Sequence, residues 1–138
     1  MRVNFIIQHL IDNCPLLAGN VHKAVSLVGL DDDEIADELP IAFVYPGKEH
    51  GEENESMTCV AQIVPKQVHI LIAAKNSGST TEEPLEDVRD QIKQAMLSLK
   101  TSDNNSFSFV VGDIDKISTR IDWWKDTFDT YQILTNNL

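Results

Sequence analysis

Positive charge is scarce in this chain. Over 138 residues, 11 Lys and Arg stand against 22 Asp and Glu, a formal net charge of −11. Nucleic-acid backbones are bound chiefly by Lys and Arg that displace counterions. A chain this acidic is repelled by phosphate, so direct nucleic-acid binding is not expected. Long apolar runs are missing as well, and none approaches the roughly 20 residues of a membrane span. The stretch Met1-Arg2-Val3-Asn4-Phe5-Ile6-Ile7 begins as a leader does, but Gln8, His9, Asp12 and Asn13 interrupt it and no Ala-x-Ala site follows. Mature sequence in a reducing cytosol is the expectation. Cysteine is limited to Cys14 and Cys59, too few and too embedded in apolar segments for a disulfide framework.

Metal and phosphate patterns are missing too. His9, His22, His50 and His69 never pair at zinc spacing, and neither cysteine has a second ligand two to four residues away. The acids Asp31-Asp32-Asp33-Glu34 lack the alternating ligands, the Gly and the distant Glu of a calcium loop; they fit a helix start. The segment Asn76-Ser77-Gly78-Ser79-Thr80-Thr81 precedes a helix but has no Lys and no second Gly to make a P-loop. A Cys14–His nucleophile pair is formally open, since such partners meet in space. Cys14 is also the last apolar residue of a helix face, where a buried structural thiol is the common case. No enzyme activity, metal or cofactor is expected from these residues.

A hydrophobic content of 42% and this length fit one globular domain. Val3, Ile6, Ile7, Leu10, Ile11 and Cys14 recur at three and four, predicting a helix over 3–13 that Pro15 ends. Val21 to Leu30 is read as a short strand. Asp31 to Leu39 is read as a short acid-capped helix closed by Pro40, and Ile41 to Tyr45 as a buried strand ended by Pro46-Gly47. Residues 48–56 hold four acids and no apolar side chain, so 47–56 is expected to order only against a neighbour. Met57 to Lys75 is one long strand bent at Pro65, with part of it on an edge because Pro cannot donate to a ladder. Leu85, Val88, Ile92, Ala95, Met96 and Leu99 predict a helix over 83–99, opened by Pro84 and first-turn acids. Strands follow at 107–111, 117–121 and 127–134, with a turn at Gly112-Asp113. The expected fold is α+β: a single mainly antiparallel or mixed sheet, residues 1–138, with both long helices side by side on one face.

Both tryptophans stand together in Thr119-Arg120-Ile121-Asp122-Trp123-Trp124-Lys125-Asp126-Thr127-Phe128-Asp129-Thr130-Tyr131. On a strand, neighbours point to opposite faces, so one indole packs inward and the other is open to a neighbour. Trp and Tyr are enriched at protein interfaces, which makes Trp123, Trp124, Phe128 and Tyr131 the candidate subunit-interface residues. Core packing is the competing reading of the same cluster.

This closing segment resembles that of phage tail terminator proteins. Similar steps occur at Asn13-Cys14-Pro15-Leu16-Leu17, Pro40-Ile41-Ala42-Phe43-Val44-Tyr45-Pro46, Val60-Ala61-Gln62-Ile63-Val64, Val88-Arg89-x-x-Ile92 and Phe107-Ser108-Phe109-Val110-Val111-Gly112. The resemblance implies a structural, non-catalytic protein of the virion tail, assembled in the host cytoplasm. It implies a ring, usually of six copies, that caps the head-proximal end of the tail tube. The ring would stop polymerisation and join the head, so the implied partners are further copies of the chain, the tail tube protein and a head-neck connector protein. A related neck component or the cap of a phage-derived contractile device is the alternative, with an acidic DNA-mimic inhibitor behind it.

Overall fold

The computed structural model describes residues 2–49, 60–76, 83–117 and 120–136. The acidic stretch 50–59, the loop 77–82 and Thr119 fall outside them. Element order is α1 (Asn4–Asn13), β1 (Val21–Lys23), α2 (Asp32–Ala36), β2 (Ile41–Glu49), β3 (Val60–Lys75), α3 (Pro84–Ser98), β4 (Ser108–Ile117) and β5 (Ile121–Asn136), with 3-10 turns at Pro15–Leu17 and Ala24–Leu27. The five strands form one mixed sheet in the order β1-β2-β3-β5-β4. Only β1 and β2 run parallel. This is an α+β fold.

The two long helices share one face of the sheet. Ile6 and Leu10 of α1, Cys14 just after it, and Val88, Ile92, Ala95 and Met96 of α3 pack on Ala42, Val44, Val68, Ile70, Ile72 and Phe128. Their three- and four-residue repeats match the inward residues of alternating strands. The opposite face has a smaller core of Ile35, Ile41, Phe43, Leu71, Ala73, Ile121 and Trp123, roofed by Ala24, Leu27, Ala36 and Leu39. Asp31 caps α2 by accepting from the Glu34 N–H at 2.8 Å, as the run of acids predicted.

Strands β3 and β5 pair in unbroken register from Val60↔Asn136 to Lys75↔Ile121. Sixteen residues at about 3.4 Å each span roughly 50 Å, against about 15 Å for α1 and 22 Å for α3. The helices therefore cannot cover the ladder. On one side β2 stops at Glu49↔Lys66, and on the other β4 starts at Ser108↔Asp129. Among the described residues, 60–65 and 131–136 thus project as a two-stranded arm. Among the described residues no strand flanks Pro65 on its second side, as expected of an edge.

Five readings are corrected. The last strand starts at Ile121, not Thr127, so the Trp pair lies inside it. Gly112-Asp113 is no turn; β4 runs through it to Ile117. Ile117 and Ile121 belong to two different strands. Pro46-Gly47 does not end β2, which continues past an irregular register to Glu49. Pro46 is tolerated because β1 stops at the Lys23↔Val44 pair, leaving β2 with one neighbour there. Of Val21 to Leu30, only Val21–Lys23 is strand.

The burial pattern sets a clear contrast for mutagenesis. Leu10→Ala and Ile92→Ala, both at fully buried positions, are expected to cost about 2–5 kcal/mol in urea unfolding. Leu97→Ala, on the exposed side of α3, is expected to stay within about 0.5 kcal/mol.

Candidate assembly surface

Strand alternation sends the paired tryptophans to opposite faces. Trp123 is 5% exposed and belongs to the smaller core, stacked against Phe43 with ring centroids 6.3 Å apart. Its Nε1–H has no hydrogen-bond partner. Trp124 is half-buried on the helix side. The Arg89 guanidinium lies 4.3 Å above its ring, and its Nε1–H donates to Asp126 Oδ1 at 3.0 Å.

Arg89 holds the same carboxylate with two donors. Nε reaches Asp126 Oδ2 at 3.1 Å and Nη2 reaches Oδ1 at 2.9 Å, while Nη1 donates to Glu86 Oε1 at 3.2 Å. Asp126 is fully buried and Arg89 is 7% exposed. Burial acts to lower the Arg89 pKa, but the hydrogen bond and charge of Asp126, with Glu86 behind them, outweigh it and hold the pKa above its ordinary value. A planar fork meeting a carboxylate in two places is the geometry in which a buried pair is best compensated. Gly112 of β4 lies directly against this group. A Cβ there would come within 2.6 Å of Arg89 Nη2 and Asp126 Oδ1 and 2.7 Å of Trp124 Nε1. The glycine serves close approach within a strand, not a turn.

Phe128 is fully buried under the helices, with Phe109 edge-on at 5.6 Å. In the folded subunit it has no surface to offer a neighbour. Tyr131 does: it is 44% exposed at the base of the arm. It pairs with Pro65, and Ile133 pairs with Ile63, so these four side chains share one face by alternation. Ile63, Ile133 and Leu134 are exposed as well. Strand β4, the outer strand of the sheet, adds exposed Phe109, Val110, Val111 and Ile114. Of the four aromatic candidates, Tyr131 and part of Trp124 reach the surface, while Trp123 and Phe128 lie in the two cores.

The other chemistry-bearing groups are occupied in packing. His9 Nε2 is 2.8 Å from the Ala95 carbonyl oxygen, tying α1 to α3. His69 Nδ1 is 2.8 Å from Thr127 Oγ1; burial, then Lys125, lowers its pKa against the opposing effect of Asp129. Burial pushes the Cys14 thiol up to about 11, so it is protonated at neutral pH. Among the described residues, no group of three or more His, Cys, Asp or Glu is placed to hold a metal ion. No described helix is long and apolar enough to cross a membrane.

A family model described as phage tail terminator protein matches residues 1–137. The chain belongs to that family. Its fold also occurs in a chain of the solved structure described as "Virion of native gene transfer agent (GTA) particle", with a TM-score of 0.58 and 13% identity over 91% of this chain and 90% of that one. No curated protein matches. This terminator-family chain is a phage tail structural protein.

Residue reading alone did not find the Arg89–Asp126 pair. Two signals were present: an Arg beside Val88 in the α3 repeat and a Gly directly after the run Phe109-Val110-Val111. The pair also gives a test. Asp126→Leu leaves a buried guanidinium with reduced compensation and is expected to cost about 3–5 kcal/mol in urea unfolding. The double variant Arg89→Leu/Asp126→Leu should be less destabilised than Asp126→Leu alone, and Gly112→Ala should lose about 1–3 kcal/mol by crowding the same group.

Proposed function

We propose that this chain forms the ring that closes the head-proximal end of a phage tail tube, stopping its polymerisation and presenting the surface to which the head is joined. The observation that carries this reading is the two-stranded arm. Within a chain of the tail terminator family, it presents Ile63, Tyr131, Ile133 and Leu134 beyond the reach of the subunit's own helices. Exposed apolar patches of this kind mark contact surfaces. In this proposal Tyr131 and the arm supply the contact, and Trp124 borders it. Trp123 and Phe128 anchor β5 from behind. Six copies are the working state, with the tail tube protein below and a head-neck connector protein above.

The charge supports the same role. A net charge of −11 per chain, repeated around a ring, gives a lumen that repels passing DNA and does not hold it.

The experiment is negative-stain microscopy of phage lysates lacking this protein, in which tails of uncontrolled length are expected. Tails of normal length would end the capping assignment. At the residue level, Tyr131→Ala and Ile133→Asp should keep the thermal midpoint of the isolated subunit within a few degrees while failing to restore tail length. Unfolded subunits in both cases would instead make the arm a stability element.

A further inference from the structure

The end of the molecule that bears the arm also holds a groove that the subunit leaves open. A cavity of about 810 Å³ lies between the start of α1, the turn at residues 101–103 and β5 at residues 130–132. Its lining includes Arg2, Phe5, Lys66, Tyr131 and one acid, Asp103. A second hollow of about 480 Å³ adjoins it through Arg2 and Phe5 and adds Lys23. Three of the eleven cations of a strongly acidic chain meet here. Among the described residues neither Arg2 nor Lys23 pairs with a carboxylate. Helix α1 begins with no capping side chain and no acid in its first turn, so its positive end adds to the same field. Phe5, half exposed, supplies an apolar floor.

A matching projection lies elsewhere on the same chain. After β1 the backbone makes two tight turns, with the Val28 N–H donating to the Val25 carbonyl at 3.3 Å and the Leu30 N–H to the Leu27 carbonyl at 3.2 Å. Gly29 takes φ +87° to allow this. The turn leaves Val28 82% exposed and Leu30 partly so. It runs directly into α2, and residues 31–38 carry six carboxylates. Two of them meet cations: Asp32 lies 4.0 Å from Lys116, and Asp33 pairs with Arg120. Among the described residues the exposed Glu34 and Glu38 are in no such pair, and Asp37 acts on Arg120 only by its charge.

One feature is apolar with a basic border, and the other is apolar with an acidic border. Within one subunit α2 lies away from the larger cavity, while Lys23 of the second hollow directly precedes the turn. The groove lies at Lys66 of β3, whereas α2 is tied to Arg120, next to the Lys75↔Ile121 pair. Nine strand residues separate the two ends, about 30 Å.

We propose that the groove receives the Val28–Glu34 turn of a second copy of this chain, so that subunits join head to tail. Val28 and Leu30 pack on Phe5 and Tyr131, while Glu34 and its neighbouring carboxylates face Arg2 and Lys23. Each subunit then uses one groove and one projection. Such a heterologous contact closes into a ring when its rotation permits and otherwise grows as a filament. The inference rests on the ring reading above, and it names the contact between ring neighbours.

The test uses the full chain and two charge reversals at exposed positions, Arg2→Glu and Glu34→Arg, with thermal unfolding as a control for folding. In sedimentation equilibrium up to about 1 mM, the wild-type chain is expected to associate, and each variant alone to associate at least about tenfold more weakly. An equimolar mixture of the two variants should associate again and grow beyond dimers, because one junction between them is native and the next has both signs reversed. Arg2→Glu and Glu34→Arg in the same chain should restore association by reversing both signs. Single variants that associate as the wild type does, a mixture or a double variant that stays as weak as either single variant, or a wild type monomeric throughout that range would each overturn the contact. None of these outcomes touches the ring reading, which stands or falls on tail length in lysates lacking the protein.

Discussion

Sixteen consecutive pairs between β3 and β5 set the geometry of the molecule. The side-chain period of a strand is two, so a slip of one residue would exchange the two faces along the whole ladder. Val68, Ile70, Ile72 and Phe128 would then leave the helices, and Leu71, Ala73 and Trp123 would leave the α2 side. Both cores enforce the same register from opposite sides. Because the ladder outruns every element that packs on it, the register that builds the cores also determines which side chains the arm carries beyond them.

The edge of the sheet is handled differently. Strand β4 meets β5 with irregular register between Phe109 and Val111 and again between Ile114 and Lys116. Bulges of this kind increase local twist and make an outer strand a poorer template for uncontrolled pairing. Between them sits Gly112, pressed against the Arg89–Asp126 pair. Helix α3, strand β4 and strand β5 are thus joined by one polar contact, while the surrounding contacts are apolar. The cost of burying an aspartate is offset by three directed donors, two from Arg89 and one from Trp124.

Much of the fold was legible because its signals are local. The stripes of α1 and α3, the cap at Asp31 and the edge character of Pro65 each depend on a few neighbouring residues. The misread segments depend on distant ones. Asp122, Lys125 and Asp126 break the apolar alternation of β5 when viewed along the chain, which hid the first half of that strand. In the folded protein Asp126 is satisfied by Arg89, 37 residues away, and Asp122 accepts from Asn76 Nδ2 at 3.0 Å. Gly112 looks like a turn until the side chains crowding it are known. For the assembly surface, alternation foretold that the two indoles part company. It did not foretell that both faces of the sheet are roofed at that point, which is why Trp123 lies in a core and exposure is concentrated farther along, at Tyr131 and Ile133.

The paired indoles have a spectroscopic consequence. They are the chain's two tryptophans, one in each layer, joined by a single peptide bond. Trp123 sits in an apolar environment beside Phe43, whereas Trp124 lies between a guanidinium and a carboxylate whose charges bear directly on its excited state. Intrinsic emission from this protein is therefore a composite of both packing layers, and energy transfer between such close rings couples the two signals. Replacing either indole with phenylalanine would leave a single native fluorophore assigned to one face of the sheet, so loosening of the helix layer and of the α2 layer could be followed separately without an added label.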